Sequence, residues 1–195
     1  MERKSQISRR TNETEVNLAL NLDTAGDVEI STGIGFFDHM LLSVSKHALI
    51  SLKIEARGDL FVDCHHTVED TGIVFGAALN EALGGREGIT RYGSAIIPMD
   101  EALVLCAIDL SGRAFLNFDV TFPTEKIGEM DTEMVEEFFR ALAHGARMNL
   151  HFKLLSGKNS HHIAEGVFKS FARALRQAVD TDGRTSGVPS SKGVL

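Results

Sequence analysis

The stretches "DCHHTVEDTGI" (63–73) and "KNSHHIAEGVF" (158–168) carry the same tetrad, His-His-x-x-Glu, about half a chain apart. Each tetrad opens an apolar run with helical spacing, and the order of elements around the two copies decides the fold. Ahead of the first, "TEVNLALNLD" (14–23) alternates as a strand does, and "GDVEIS" (26–31) offers a short return strand. "GFFDHMLLSVSKHALI" (35–50) then changes to helical spacing and "LISLKIEARG" (49–58) alternates again. "HHTVEDTGIVFGAALNEALGG" (65–85) reads as a helix closed by a glycine pair.

The second half replays this order. "EALVLCAIDLSG" (101–112) and "AFLNFDVTF" (114–122) read as strands paired around a Ser-Gly turn. "DTEMVEEFFRALAHGA" (131–146) is an amphipathic helix with Asp131 or Thr132 as its N-cap, "MNLHFKLLSG" (148–157) a strand, and "HHIAEGVFKSFARALRQAVD" (161–180) the closing helix. The prediction is an internally duplicated α+β fold: two β-β-α-β-α halves, with mixed sheets backed by helices. Residues 1–93 form the first half-repeat and 94–195 the second with a C-terminal tail, together one compact domain.

Composition narrows the function. A net charge of −7, no Trp and a single Tyr argue against a nucleic-acid surface or a base-stacking platform. No apolar run approaches the roughly 20 residues that cross a bilayer, and "MERKSQISRR" (1–10) lacks the apolar segment of a signal peptide. Two cysteines, Cys64 and Cys106, make no disulfide framework and fit the reducing cytoplasm.

On a helix, residues i and i+4 lie about 40° apart, so His65 can share a ligand with Glu69 and His161 with Glu165. The middle histidines, His66 and His162, point about 100° away. One ion cannot easily use all three groups of a tetrad; two ions can, each taking the i, i+4 pair of one helix and the odd histidine of the other. Position 39 lies thirteen residues before Leu52, and Glu137 thirteen before Leu150, so His39 and Glu137 occupy equivalent places. One ion would then take His39, His65, Glu69 and His162; the other would take His66, Glu137, His161 and Glu165. Imidazole and carboxylate donors without thiolate suit Mn²⁺, Fe²⁺ or Zn²⁺, and Mn²⁺ if the geometry is octahedral with open positions. His161, Glu165 and Lys169 follow i, i+4, i+8 along one helix edge.

"GFFDHML", "DCHHTVEDTGI", "RYGSAIIPMDEAL", "DLSGR", "GKNSHHIAEGVFKSFARALRQA" and "PSSKGVL", in this order, resemble the imidazoleglycerol-phosphate dehydratases of histidine biosynthesis. The resemblance runs from about residue 8 to the C-terminus and implies a duplicated α+β fold. It also implies two Mn²⁺ ions per active site, sites between subunits, and a homo-oligomeric cubic shell of 24 chains. The implied ligands are His39, His65, His66, Glu69, His161, His162 and Glu165. Glu137 departs from the pattern, since many relatives have histidine there, and so does Cys64, where an acidic residue is frequent.

The reaction the resemblance implies is dehydration of D-erythro-imidazole glycerol phosphate to imidazole acetol phosphate. An imidazolate bridging the two ions would expel the neighbouring hydroxyl through a diazafulvene-like species, and a base would then take the next carbon's proton. Glu13 occupies a substrate-contact position of the family, and Glu13, Glu69 and Glu165 are the candidate catalytic carboxylates. The expected substrate contacts are Glu13, His39, His65, Glu69, His161 and Glu165, with Arg91, Arg113, Lys169, Ser191 and Lys192 toward the phosphate. Two rivals are a dimetal hydrolase of small phosphate esters and a non-catalytic metal-storage bundle. The strands between the tetrads speak against the bundle.

Overall fold

The computed structural model describes residues 2–181, 183, 184, 187–193 and 195. The first half runs β1 (Lys4–Arg10), β2 (Thr14–Asn21), β3 (Val28–Ser31), α1 (Gly35–Ala48), β4 (Ser51–Gly58) and α2 (His65–Leu83). The second runs β5 (Tyr92–Met99), β6 (Ala102–Asp109), β7 (Phe115–Asp119), β8 (Lys126–Ile127), β9 (Met130–Asp131), α3 (Glu133–Ala146), β10 (Asn149–Ser156) and α4 (Ser160–Val179). Apart from the small β8-β9 ribbon, the halves correspond element for element. Their four-stranded sheets have matching orders, β1-β2-β4-β3 and β5-β6-β10-β7. The α+β class and the duplication are as the sequence predicts.

Each four-stranded sheet carries one strand more than the sequence pattern suggests, and the second half adds the β8-β9 ribbon. β1, "KSQISRR", is mostly polar, and β5, "YGSAIIPM", is broken by Gly93 and Pro98. Both are edge strands, where one side faces solvent and a missing proline N–H breaks no interior ladder. The expected pairing of the two strands around "DLSG" is also corrected. β6 pairs antiparallel with β10, and β7 pairs with the other side of β10 in parallel. β3 and β4 repeat this parallel arrangement. A parallel pair needs a long crossover, and α1 and α3 supply it. Position 93, the predicted end of the first half, falls inside β5.

The helices fill the space between the sheets. α2 lies on β1 and β2, α4 lies on β5 and β6, and across the middle α1 packs on α4 and α2 on α3. A methyl group on Gly76 of α2 would stand 2.5 Å from the Leu142 carbonyl oxygen, and one on Gly72 would stand 2.6 Å from that of Phe138. Positions 72 and 76 thus meet 138 and 142 in ascending order, so α2 and α3 run parallel with backbones in close approach. α1 and α4 also start together, with the Phe36 ring 5.2 Å from that of His161. The first turns of all four helices gather at one end of the molecule.

Phe37, Phe138, Phe139, Phe168 and Phe171 are fully buried and join α1, α3 and α4. Centroids lie 5.1 Å apart for Phe37–Phe138 and 4.9 Å for Phe139–Phe168. Burying each such ring contributes roughly 1.5–3 kcal/mol. This core fixes the helix starts against one another, and the tetrads occupy two of those starts. Among the described residues no helix is long and apolar enough to cross a membrane.

Candidate active site

α4 begins where Asn159 caps it, its side-chain oxygen accepting from the His161 and His162 backbone N–H groups. The His161 Nε2 stands 3.2 Å from one Glu165 oxygen, while Lys169 donates to the other at 2.6 Å. Glu165 is buried, which would raise its pKa, but the Lys169 ammonium and His161 outweigh burial and lower it. The first tetrad is looser, with His65 Nε2 4.0 Å from Glu69. Within each tetrad the adjacent histidine rings stand nearly perpendicular, with interplanar angles of 78° and 87°.

The middle histidines are held by carboxylates that sequence reasoning missed. The Nδ1 edge of His66 meets both oxygens of Asp59, at 3.1 and 3.2 Å. His162 Nδ1 lies 2.7 Å from Glu101, and its Nε2 is 3.6 Å from Asp100. Each histidine is pushed above its ordinary pKa by that hydrogen bond, to Asp59 and to Glu101 respectively. Glu101 also accepts the Lys158 and Asn159 backbone N–H groups, and the His162 bond with these holds its carboxyl down to about 2. A signal for Glu101 was present: it directly precedes β6, as Glu13 directly precedes β2. Asp59 carries no repeat signal.

Glu13 sits in the β1–β2 hairpin, its carboxylate 3.9 Å from His66 Nε2. Buried Asp70 fastens that hairpin to α2 by accepting from Arg9 and from the Thr14 hydroxyl. His39 is exposed on α1, and Glu137 on α3 faces Arg140 at 3.4 Å. Cys64 is buried in the core beside Asp131.

The expected quartets do not assemble within one chain. Among the described residues, no three His, Cys, Asp or Glu side chains converge closely enough to hold an ion. Helix packing gives the reason: α1, with His39, lies on α4, and α3, with Glu137, lies on α2. The grouping of His39 with the α2 tetrad crosses that packing. The donor set still fits a divalent cation. Each tetrad offers an i, i+4 imidazole–carboxylate pair, and each middle histidine has its Nδ1 occupied and Nε2 turned away from that partner.

The residues expected at the phosphate are divided. Lys169 is at the tetrad end. Arg91 is at the start of β5, where it is clamped to Asp109 at 2.7 and 3.2 Å and donates to the Pro189 carbonyl at 2.8 Å. Asn149 binds the Arg113 carbonyl at 2.7 Å, which places Arg113 at that same end, and exposed Ser191 and Lys192 follow Pro189 in the tail. The eight residues of β5 separate Arg91 from the hairpin that holds His162, on the order of 25 Å at about 3.3 Å per residue.

Residues 32–175 match the family model described as imidazoleglycerol-phosphate dehydratase. The chain belongs to this family. It is 55% identical over 195 residues to the imidazoleglycerol-phosphate dehydratase of Acetivibrio thermocellus, with 100% of both chains covered. It is 56% identical to that of Lachnoclostridium phytofermentans, also over 100% of both. Among solved structures, imidazoleglycerol-phosphate dehydratase from Staphylococcus aureus superposes with a TM-score of 0.84 at 41% identity, covering 92% of this chain and 99% of that one. The Pyrococcus furiosus structure, in complex with (S)-C348, gives 0.85 at 39% identity, covering 97% and 100%. Membership of the imidazoleglycerol-phosphate dehydratase family makes this chain a hydro-lyase.

Proposed function

We propose that the chain dehydrates D-erythro-imidazole glycerol phosphate to imidazole acetol phosphate in histidine biosynthesis, in the cytoplasm, using two Mn²⁺ ions per site. The observation that carries this reading is the spatial division of the site. Imidazole and carboxylate donors stand at one end of the molecule and the arginines expected to bind phosphate at the other, about 25 Å apart. A single small substrate cannot span that distance, so each site joins the tetrad end of one chain to the arginine end of another. A closed homo-oligomer, 24 chains by family resemblance, satisfies the requirement at every end at once.

When bound, the ions supply Lewis acidity that favours the deprotonated imidazole ring of the substrate. The protein's own groups do the rest. The His65–Glu69 and His161–Glu165 pairs present donors from two helix starts, with His39 and Glu137 on the neighbouring helices. Glu13 is half-exposed on its hairpin and free to take the proton from the carbon beside the departing hydroxyl. Lys169 neutralises Glu165 within the site. Arg91 and Arg113, with Ser191 and Lys192 of the tail, hold the phosphate away from the reacting carbons.

Activity of chelator-stripped protein on imidazole glycerol phosphate, with and without added Mn²⁺, tests the reading directly. Turnover restored by Mn²⁺ supports it. Full turnover without metal, or preferential hydrolysis of p-nitrophenyl phosphate, overturns it.

A further inference from the structure

The two carboxylates that hold the middle histidines come from different places in the duplication. Counting from the paired strands, Glu13 and Glu101 are equivalent: each is the last residue of a hairpin turn, directly ahead of β2 or β6. Their surroundings have diverged. Glu101 faces the Nδ1 edge of His162 at 2.7 Å and accepts two backbone N–H groups at 2.7 and 3.1 Å, so its oxygens are committed. Glu13 faces the opposite, Nε2 edge of His66 at 3.9 Å, beyond hydrogen-bond distance. In the first half the Nδ1 edge is taken instead by Asp59, from the loop that follows β4.

We infer that Asp59 and Glu101 are positioning residues, each fixing the ring of its tetrad's middle histidine so that Nε2 is the nitrogen offered to a cation. The assignment rests on the proposed reading of the tetrads as ligands. A neutral imidazole can donate from only one nitrogen. A carboxylate at Nδ1 keeps the proton there and leaves the Nε2 lone pair free. The arrangement also explains why the repeat-related hairpins cannot share one duty. Glu101 is locked into holding His162, whereas Asp59 takes over that task for His66 and leaves Glu13 available for proton transfer.

Mn²⁺ titration of the chelator-stripped full-length protein, following free Mn²⁺ by its paramagnetic resonance signal, tests the inference without recourse to turnover. Asp59→Ala and Glu101→Ala should each weaken part of the bound Mn²⁺ by about 10- to 100-fold. Asp59→Asn and Glu101→Gln, which keep an oxygen acceptor, should recover most of that loss. Glu15→Ala, an exposed carboxylate on β2, should bind as the unaltered protein does. Glu101 also supports the backbone before α4, so its alanine variant can fail by misfolding. The Asp59 side chain accepts only from the His66 ring among the described residues, and Asp59→Ala decides the matter in that event. Alanine variants with unaltered affinity would overturn the positioning role alone. Unaltered protein that binds no Mn²⁺ would overturn the tetrad reading itself.

Discussion

Lys169 donates to Glu165 at 2.6 Å one helical turn away, while the other oxygen of the same carboxylate faces His161 at 3.2 Å. Both partners are largely buried, with 22% of the lysine and 11% of the glutamate side chain exposed. Removing one member of such a pair strands the other's charge and costs roughly 3 kcal/mol. Lys169→Met should therefore destabilise the metal-free protein by about that much, and Glu165→Gln should do so by less because it leaves a cation that can still reach solvent. The double variant should recover most of the stability that Lys169→Met loses and none of the activity. Denaturant unfolding of the four proteins measures the coupling, and strictly additive losses would show that the pair is not a unit.

The close crossings of α2 with α3 and of β5 with α4 make a separate prediction about folding. A methyl group on Gly93 would overlap the Ala174 carbonyl oxygen, and one on Gly76 would press on the backbone of residues 142–146. Backbone cannot move aside as a flexible side chain can, so Gly76→Ala and Gly93→Ala should each cost about 1–3 kcal/mol or more. A methyl group on Gly35, at the start of α1, would meet nothing within 4 Å, and Gly35→Ala should be neutral or slightly stabilising. Calorimetric melting temperatures check the ranking. A Gly93→Ala protein as stable as Gly35→Ala would contradict the packing described.

The parts of this molecule visible in its sequence are those with a strong period or a rare residue. The four long helices, β2, β4, β6 and β10 announce themselves by buried alternation or amphipathic spacing, and the paired histidines mark the repeat. β1 stays hidden because Lys4, Arg9 and Arg10 leave it mostly polar, and β5 because Gly93 and Pro98 interrupt its pattern; a sheet edge tolerates both. The insertion of β10 between β6 and β7 is a long-range choice made by the helix layer, which no local pattern records. Asp59 and Glu101 were missed for a similar reason. A carboxylate that orients another residue looks in sequence like any acidic loop residue, and only the hairpin equivalence of Glu13 and Glu101 betrays one of them.

Lys192 belongs to the tail that follows Pro189, whose carbonyl Arg91 holds at 2.8 Å. The Lys192 side chain is exposed, which suits a group waiting for a phosphate rather than one committed to the fold. Losing a hydrogen bond to a charged partner costs about 1.5–3 kcal/mol, so Lys192→Ala should raise KM for imidazole glycerol phosphate about 10- to 100-fold. Bound Mn²⁺ and the melting temperature should not change. Steady-state kinetics beside elemental analysis check both halves of the statement. An unaltered KM would remove Lys192 from the site.

Subunit mixing tests whether the two ends of the molecule cooperate across chains. His66→Ala damages the tetrad end, and Arg91→Ala damages the other end, where it also frees Asp109 and the tail. Because Arg91 is clamped to Asp109, Arg91→Lys serves as the milder companion: it keeps the charge but loses the forked geometry. Each variant alone should lose most activity. If every site draws its tetrad end from one chain and its arginine end from another, hybrids formed by unfolding and refolding an equal mixture contain some sites with both ends intact. Random assembly gives roughly a quarter of such sites when each site takes its two ends independently. Activity of the refolded mixture near that fraction of the unaltered protein, against near-background activity for each variant refolded alone, is the expected outcome. Active sites contained within one chain would give a mixture no more active than its components, because no chain in it carries both intact ends.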